Sequence, residues 1–251
     1  MLHRRKGLPD EWQVLVREHV AVWARLDDDE RALLGEIADW LLRHKHWEAA
    51  NGFALTDEIT VTIAVQAALL VLGLSVDEYR EVGAVIVYPT AMKSAGAHAG
   101  PASGTVVDGM VPVLGEAHDR RGPLLLAWDE AREAALRPGS GSNVTFHEFA
   151  HKIDMRDDIV DGTPRLGSRE AMQRWIEVCT EAYDALRDGL DRPPLRPYGA
   201  TNTAEFFAVA TEAFFDVPVE LEHHEPDLYS VFRAYYGQDP AERARRPARA
   251  D

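Results

Sequence analysis

One cysteine, Cys179, stands in 251 residues. No disulfide can close within the chain and no group of thiolates can bind a metal, so any metal must rest on histidine and carboxylate. With no His–Asn or His–Asp pattern beside it, Cys179 reads as a small packed side chain rather than a nucleophile. Long apolar runs are missing as well. The longest, Val61 to Leu72, is broken by Thr62 and Gln66 and falls short of the roughly 20 residues that a bilayer requires, so it reads as a buried helix and argues against a membrane role. The basic start, Met1 to Gly7, runs into Pro9-Asp10-Glu11 instead of an apolar signal core, which points to a cytoplasmic protein. Positive charge is scarce: 27 Lys and Arg against 42 Asp and Glu leave a net charge of −15. That balance argues against direct binding of nucleic acid, whose affinity comes from neutralising phosphates.

What is present is an ordinary soluble composition, 46% hydrophobic and 27% charged, in a chain long enough to bury a substantial core as a single domain over 1–251. Residues 8–80 read as helical. Val16, Val20 and Trp23 mark one amphipathic helix; Leu33, Ile37, Trp40 and Leu41 mark a second after the turn and cap Leu26-Asp27-Asp28-Asp29. Thr56-Asp57 caps the apolar helix that ends near Gly73. Residues 81–237 begin with short strand-like runs at Ala84 to Tyr88, Met110 to Leu114 and Leu124 to Trp128, split by stretches such as Gly96 to Gly104. Helical spacing then continues through Met172 to Leu190, Ala204 to Phe215 and Pro226 to Tyr236. The expected fold is α+β, mainly helical with a small sheet. Leu124 to Trp128 reads either as the sheet edge over a cleft, offering backbone groups to an extended peptide, or as an ordinary core strand. Residues 238–251, with arginines from Arg243 to Arg249, read as a flexible tail.

Against this background stands His147-Glu148-Phe149-Ala150-His151. Residues four apart on a helix share one face, so both imidazoles can reach a single tetrahedral zinc, and Glu148 falls beside them to take a proton from a zinc-bound water. Ser142 and Asn143 are N-cap candidates for that helix, and Phe146, Phe149 and Ile153 give it apolar flanks. Asp154, one turn beyond His151, reads either as a carboxylate orienting a ligand ring or as one closing the helix exit. His44-x-His46 and His223-His224 lack the i, i+4 spacing and read as solvated surface.

A zinc peptidase needs a third protein ligand. The HExxHxxGxxH pattern would put it at Asp157, but Asp154 stands where that pattern breaks its helix with glycine. A later helix offers Glu205 and Glu212 on one face. Two helical turns, roughly 10–11 Å, separate them, so both cannot hold one ion, and spacing alone does not rank them. Asn202-x-x-Glu205 is also a capping-box spacing.

The segments His147 to Asp154 and Tyr198-Gly199-Ala200-Thr201-Asn202-Thr203-Ala204-Glu205-Phe206-Phe207-Ala208 resemble the active-site pair of the Mlc titration factor A family of zinc peptidases, and also the catalytic domain of anthrax lethal factor. The likeness to the first extends through Leu8-Pro9-x-x-Trp12, Gly52-Phe53-x-Leu55-Thr56-Asp57-Glu58, Tyr88-Pro89, Gly115-Glu116-Ala117 and Asn143-Val144, in matching order from about Leu8 to Gly237. It departs at His118, where relatives carry an aromatic residue, and around Arg120-Arg121, which bears on substrate contacts. The resemblance implies a zincin-like fold with the sheet next to the HExxH helix. It implies one zinc held by His147, His151 and Glu205, with Glu148 as general base and Tyr198 stabilising the transition state. The implied activity is peptide hydrolysis, of an aminopeptidase-like kind, on a peptide or protein substrate. Because the family is named for sequestering a transcriptional repressor, a regulatory binding protein with secondary peptidase activity is the alternative.

Overall fold

The computed structural model describes residues 7–50, 52–90, 98–99, 106–107, 122–157 and 161–249. The first expected helix is split in two. α1 (Asp10–His19) ends before Val20, whose backbone is extended, and Ala21–Arg25 forms a separate 3-10 turn, so that Val20 and Trp23 both drop into the core. α2 (Asp28–His44) starts from a reciprocal capping box in which Asp27 accepts the Glu30 amide and Glu30 accepts the Asp27 amide. β1 (His46–Ala49) follows. α3 (Asp57–Leu70) is capped by Thr56 and buries every residue from Val61 to Leu70. With no polar stripe to keep in water, it takes the centre of the fold. Gln66 in its middle is satisfied by donating to the Ala131 carbonyl at 3.2 Å and accepting from Asn143 Nδ2 at 2.9 Å.

β2 (Ala84–Tyr88) is the middle strand of a parallel three-stranded sheet, with β1 on one side. A short antiparallel pair, β3 (His98–Ala99) and β4 (Val106–Val107), comes next. β5 (Leu124–Ala127) lies on the other side of β2 and runs straight into α4 (Trp128–Leu136), so Trp128 opens a helix rather than ending a strand. β1 is hard to read from the sequence because it is short: exposed His46 and Glu48 alternate with half-buried Trp47 and Ala49 over only four residues. The expected strand Met110 to Leu114, with Gly115-Glu116-Ala117, His118 and Arg120-Arg121, lies outside the described residues.

The C-terminal half is helical: α5 (Val144–Asp154), α6 (Arg169–Arg187), α7 (Thr203–Asp216), α8 (Pro218–His224) and α9 (Pro226–Tyr236). Aromatic rings knit α6, α7 and α9 together, with Trp175 stacked on Phe232 at 4.9 Å and Phe214 on Tyr236 at 5.5 Å. Gly73, just after α3, receives the end of α9 so closely that a Cβ there would lie 2.2 Å from the Tyr236 carbonyl oxygen.

The flexible tail expected over 238–251 is replaced, through Arg249, by a docked segment. It forms α10 (Pro240–Arg245), and its arginines meet the acidic start of α2: Arg243 reaches Glu30 at 2.8 Å, Arg246 reaches Glu30 at 2.7 Å and Arg249 reaches Asp28 at 2.8 Å. The correction has a physical reason. Asp28, Asp29 and Glu30 crowd one helix turn, and the basic segment pairs with two of them, Asp28 and Glu30. Among the described residues, no helix is long and apolar enough to cross a membrane.

Candidate metal centre

Asn143 starts α5 by accepting the Phe146 amide at 3.0 Å. Phe146, Phe149, Ala150 and Ile153 then turn into the core. That choice of buried face leaves His147 and His151 together on the next stripe, their ring centroids 4.8 Å apart and nearly perpendicular.

α7 supplies the third group. Asn202 caps it by accepting the Glu205 amide at 2.9 Å, which is the backbone half of a capping box. The Glu205 carboxylate faces the histidines, Oε2 at 3.0 Å from His147 Nε2 and Oε1 at 3.6 Å from His151 Nε2. The two Nε2 atoms are 3.2 Å apart. His147, His151 and Glu205 thus each point one ligand atom into a common space, all within 4.8 Å of one another.

This donor set fits a metal ion. Tetrahedral ligands about 2.0–2.1 Å from a zinc lie roughly 3.3–3.4 Å from each other, close to the separations found here. The carboxylates around His147 also favour positive charge there. Burial alone would lower the pKa of His147, but hydrogen bonds to Glu205 and Glu212 and the charges of Glu212 and Glu148 raise it to about 10. Burial would raise Glu205, yet its hydrogen bonds to His147 and His151 hold it well below the usual carboxylate range. Two imidazole nitrogens facing each other can share only one proton, whereas a metal ion takes a lone pair from each.

Glu148 is half-buried on the same helix, and its charge is felt by both His147 and Tyr198. Tyr198 lies in the 3-10 turn Pro197–Ala200 just before α7, its ring centroid 5.9 Å from that of His147. Burial first, then the Glu205 and Glu148 carboxylates, push its hydroxyl pKa up, so it remains a proton donor.

Glu212, which spacing offered as a rival ligand, faces the other side of His147. Only 1% of its side chain is exposed, and Oε1 accepts a hydrogen bond from His147 Nδ1 at 2.7 Å. That bond selects the tautomer that leaves Nε2 free for a metal. Oε2 accepts the Asn143 amide at 2.6 Å, and Oε1 is also met by the Arg196 guanidinium. Reading the sequence for ligands missed both this carboxylate's role and Arg196. The available signal was the shared face of Glu205 and Glu212, which puts a second carboxylate behind the first.

Asp154 closes the far end of α5. It is 1% exposed, and Oδ2 accepts the Gly162 amide at 3.0 Å. Gly162 has φ +76°, and a Cβ there would lie 2.3 Å from the Thr203 carbonyl oxygen at the start of α7. Gly162 is thereby pressed against the start of the helix that carries Glu205. The Asp157 side chain lies outside the described residues. Cys179 is half-buried and its thiol pKa is pushed up by that burial. His44 bonds the Trp40 carbonyl, His46 meets Glu48, and the exposed His223 and His224 rings stack edge to face. At the sheet, β5 hydrogen-bonds to β2 on one side and is an edge strand among the described residues; it also packs against α5.

The model of the family described as glucose-regulated metallo-peptidase M90 matches residues 1–237. An uncharacterized protein of Synechocystis is 38% identical over 240 residues, covering 94% of this chain and 86% of the relative. Mlc titration factor A of Pectobacterium atrosepticum is 32% identical over 249 residues, covering 93% and 88%. Mlc titration factor A of Yersinia enterocolitica is 30% identical over 237 residues, covering 91% and 86%.

Proposed function

The chain belongs to the glucose-regulated metallo-peptidase M90 family, and from that premise we propose that it is a zinc-dependent peptidase acting in an aminopeptidase-like manner. The observation that carries the reading is the convergence of His147, His151 and Glu205, with Glu148 and Tyr198 beside them. His147, His151 and Glu205 hold the metal, one ion per chain. Zinc bound there supplies Lewis-acid polarisation of the scissile carbonyl and acidifies water.

The remaining chemistry belongs to the side chains. Glu148 accepts a proton from the attacking water and returns it to the leaving amine. Tyr198, held protonated, donates a hydrogen bond to the carbonyl oxygen as negative charge develops on it; loss of one such donor costs about 2.7–4 kcal/mol. Glu212 holds the His147 ring in the required tautomer. The edge of β5 that is unpaired among the described residues, on a strand packed against α5, offers backbone groups to an extended peptide substrate.

Zinc content and peptidase rate, measured on purified variants with amino-acid arylamides as first substrates, test this. Glu148→Gln is expected to keep zinc and lose turnover, whereas His147→Ala and Glu205→Ala lose zinc. A fully active Glu148→Gln protein would sink the mechanism.

A second reading is favoured by the name of two relatives, Mlc titration factor A. In it the chain sequesters a transcriptional repressor and any hydrolysis is secondary. Repressor capture that survives Glu148→Gln, with no turnover of any peptide substrate, would favour this reading over the enzyme.

A further inference from the structure

Arg196 has no role in the chemistry so far, yet its side chain bridges three segments of the site. Nε donates to the Gly141 carbonyl at 3.1 Å, in the loop that leads into α5. The terminal nitrogen NH2 donates to Oε1 of Glu212, the same oxygen that holds His147 Nδ1. The residue itself is the N-cap of the 3-10 turn Pro197–Ala200, and its carbonyl accepts the Gly199 amide at 3.0 Å. The turn carrying Tyr198, the loop before the metal helix and the carboxylate behind His147 are therefore tied to one guanidinium.

Charge balance gives the contact a purpose. Glu212 is 1% exposed, and a carboxylate buried that deeply needs a cation within hydrogen-bond reach. Among the described residues, Arg196 is the cation placed on that carboxylate. Its planar fork suits the task, since one rigid group donates in two directions at fixed geometry, which a lysine ammonium on a flexible stem does not reproduce. The turn has little other freedom. Gly199 sits so close to α6 and α7 that a Cβ would meet Leu186 at 3.2 Å and Val209 at 3.4 Å, so packing fixes the turn there, while its start is held by the hydrogen bonds of Arg196.

We propose that Arg196 is a positioning residue that couples the Tyr198 turn to the ligand His147 through Glu212. The inference rests on the peptidase reading for its kinetic consequence but not for its structural one. With the metal site filled, Arg196 holds Glu212 in place and holds Tyr198 at the distance its hydroxyl needs. Without Arg196 the turn is released and the tyrosine no longer donates effectively.

The test uses zinc-loaded full-length protein and four variants: Arg196→Ala, Arg196→Lys, Tyr198→Phe and Arg196→Ala/Tyr198→Phe. Arg196→Ala is expected to lower kcat about ten-fold with little change in KM or in zinc per chain. Arg196→Lys, which restores the charge without the two-way fork, should stay below wild type. The double variant should be no slower than Tyr198→Phe alone, because both changes remove the same donor. Losses that multiply in the double variant would overturn the coupling. A second readout does not need turnover: amide hydrogen exchange at Gly199 and Thr201 should quicken about ten-fold in Arg196→Ala, and unchanged exchange would overturn the proposal. If the wild type hydrolysed nothing, the peptidase reading would fall and the exchange measurement would still decide the coupling.

Discussion

Glu212→Gln changes no shape and removes one charge, so its effect follows from hydrogen-bond polarity alone. The native carboxylate accepts from three donors: His147 Nδ1 at 2.7 Å and Arg196 on Oε1, and the Asn143 amide at 2.6 Å on Oε2. A glutamine amide offers one oxygen and one NH2 group in the same place. If its oxygen takes the Oε1 position, the NH2 group confronts the Asn143 amide, donor against donor, at the start of the metal helix. If the amide is flipped, the NH2 group faces Arg196 and His147, and His147 must move its proton to Nε2, where it blocks the metal. Either arrangement leaves a buried donor unpaired, at a cost of about 1–3 kcal/mol. Carboxylates behind metal-bound histidines typically contribute 10- to 100-fold in affinity, about 1.4–2.8 kcal/mol. Zinc affinity by competition with a chromophoric chelator should therefore fall 10- to 100-fold in Glu212→Gln, while Glu205→Ala should hold no stoichiometric zinc. Zinc affinity within about two-fold of wild type would refute the assignment of Glu212 as the group that selects the His147 tautomer.

Two further expectations follow from the same geometry. In metal-free protein the pKa of His147 is raised from 6.5 to about 10, so the stability it contributes is whole below pH 6.5 and is lost as pH rises toward 10. Melting of chelator-treated protein should fall over that window more steeply than that of His147→Gln, and zinc-loaded protein, in which the metal replaces the proton, should lack this difference; equal slopes would contradict the assignment. Gly162→Ala should destabilise the protein by more than about 1 kcal/mol, since the new Cβ meets Thr203 and φ is positive, and urea unfolding reads this directly.

Much of the site was legible because it is local. Asn143 as cap, the face shared by His147 and His151, and the buried flank of Phe146, Phe149 and Ile153 are all properties of one helix and its period. The all-round burial of α3 was legible for the same reason, as were β2 and α9, whose limits match the strand-like run at Ala84 to Tyr88 and the helical spacing over Pro226 to Tyr236. β1 was not legible, because its place comes from pairing with β2 rather than from its own four residues. The C-terminal arginines were misread as a loose end, because their acidic partners on α2 lie more than two hundred positions earlier.

The roles of the two glutamates mark the boundary between the two kinds of information. Sequence alone determined that His147 and His151 share one face of a helix with Glu148 beside them, because side chains four apart on a helix meet without help from the rest of the fold. It also placed Glu205 and Glu212 on a common face. Only the docking of α7 against α5 decided that Glu205 points at the Nε2 atoms and Glu212 at His147 Nδ1. That docking depends on Asp154 and Gly162 at one end and on Asn143, Glu212 and Arg196 at the other. Helical periodicity specifies which residues share a face; which neighbour that face meets, and at what height, is set by packing between segments some fifty residues apart.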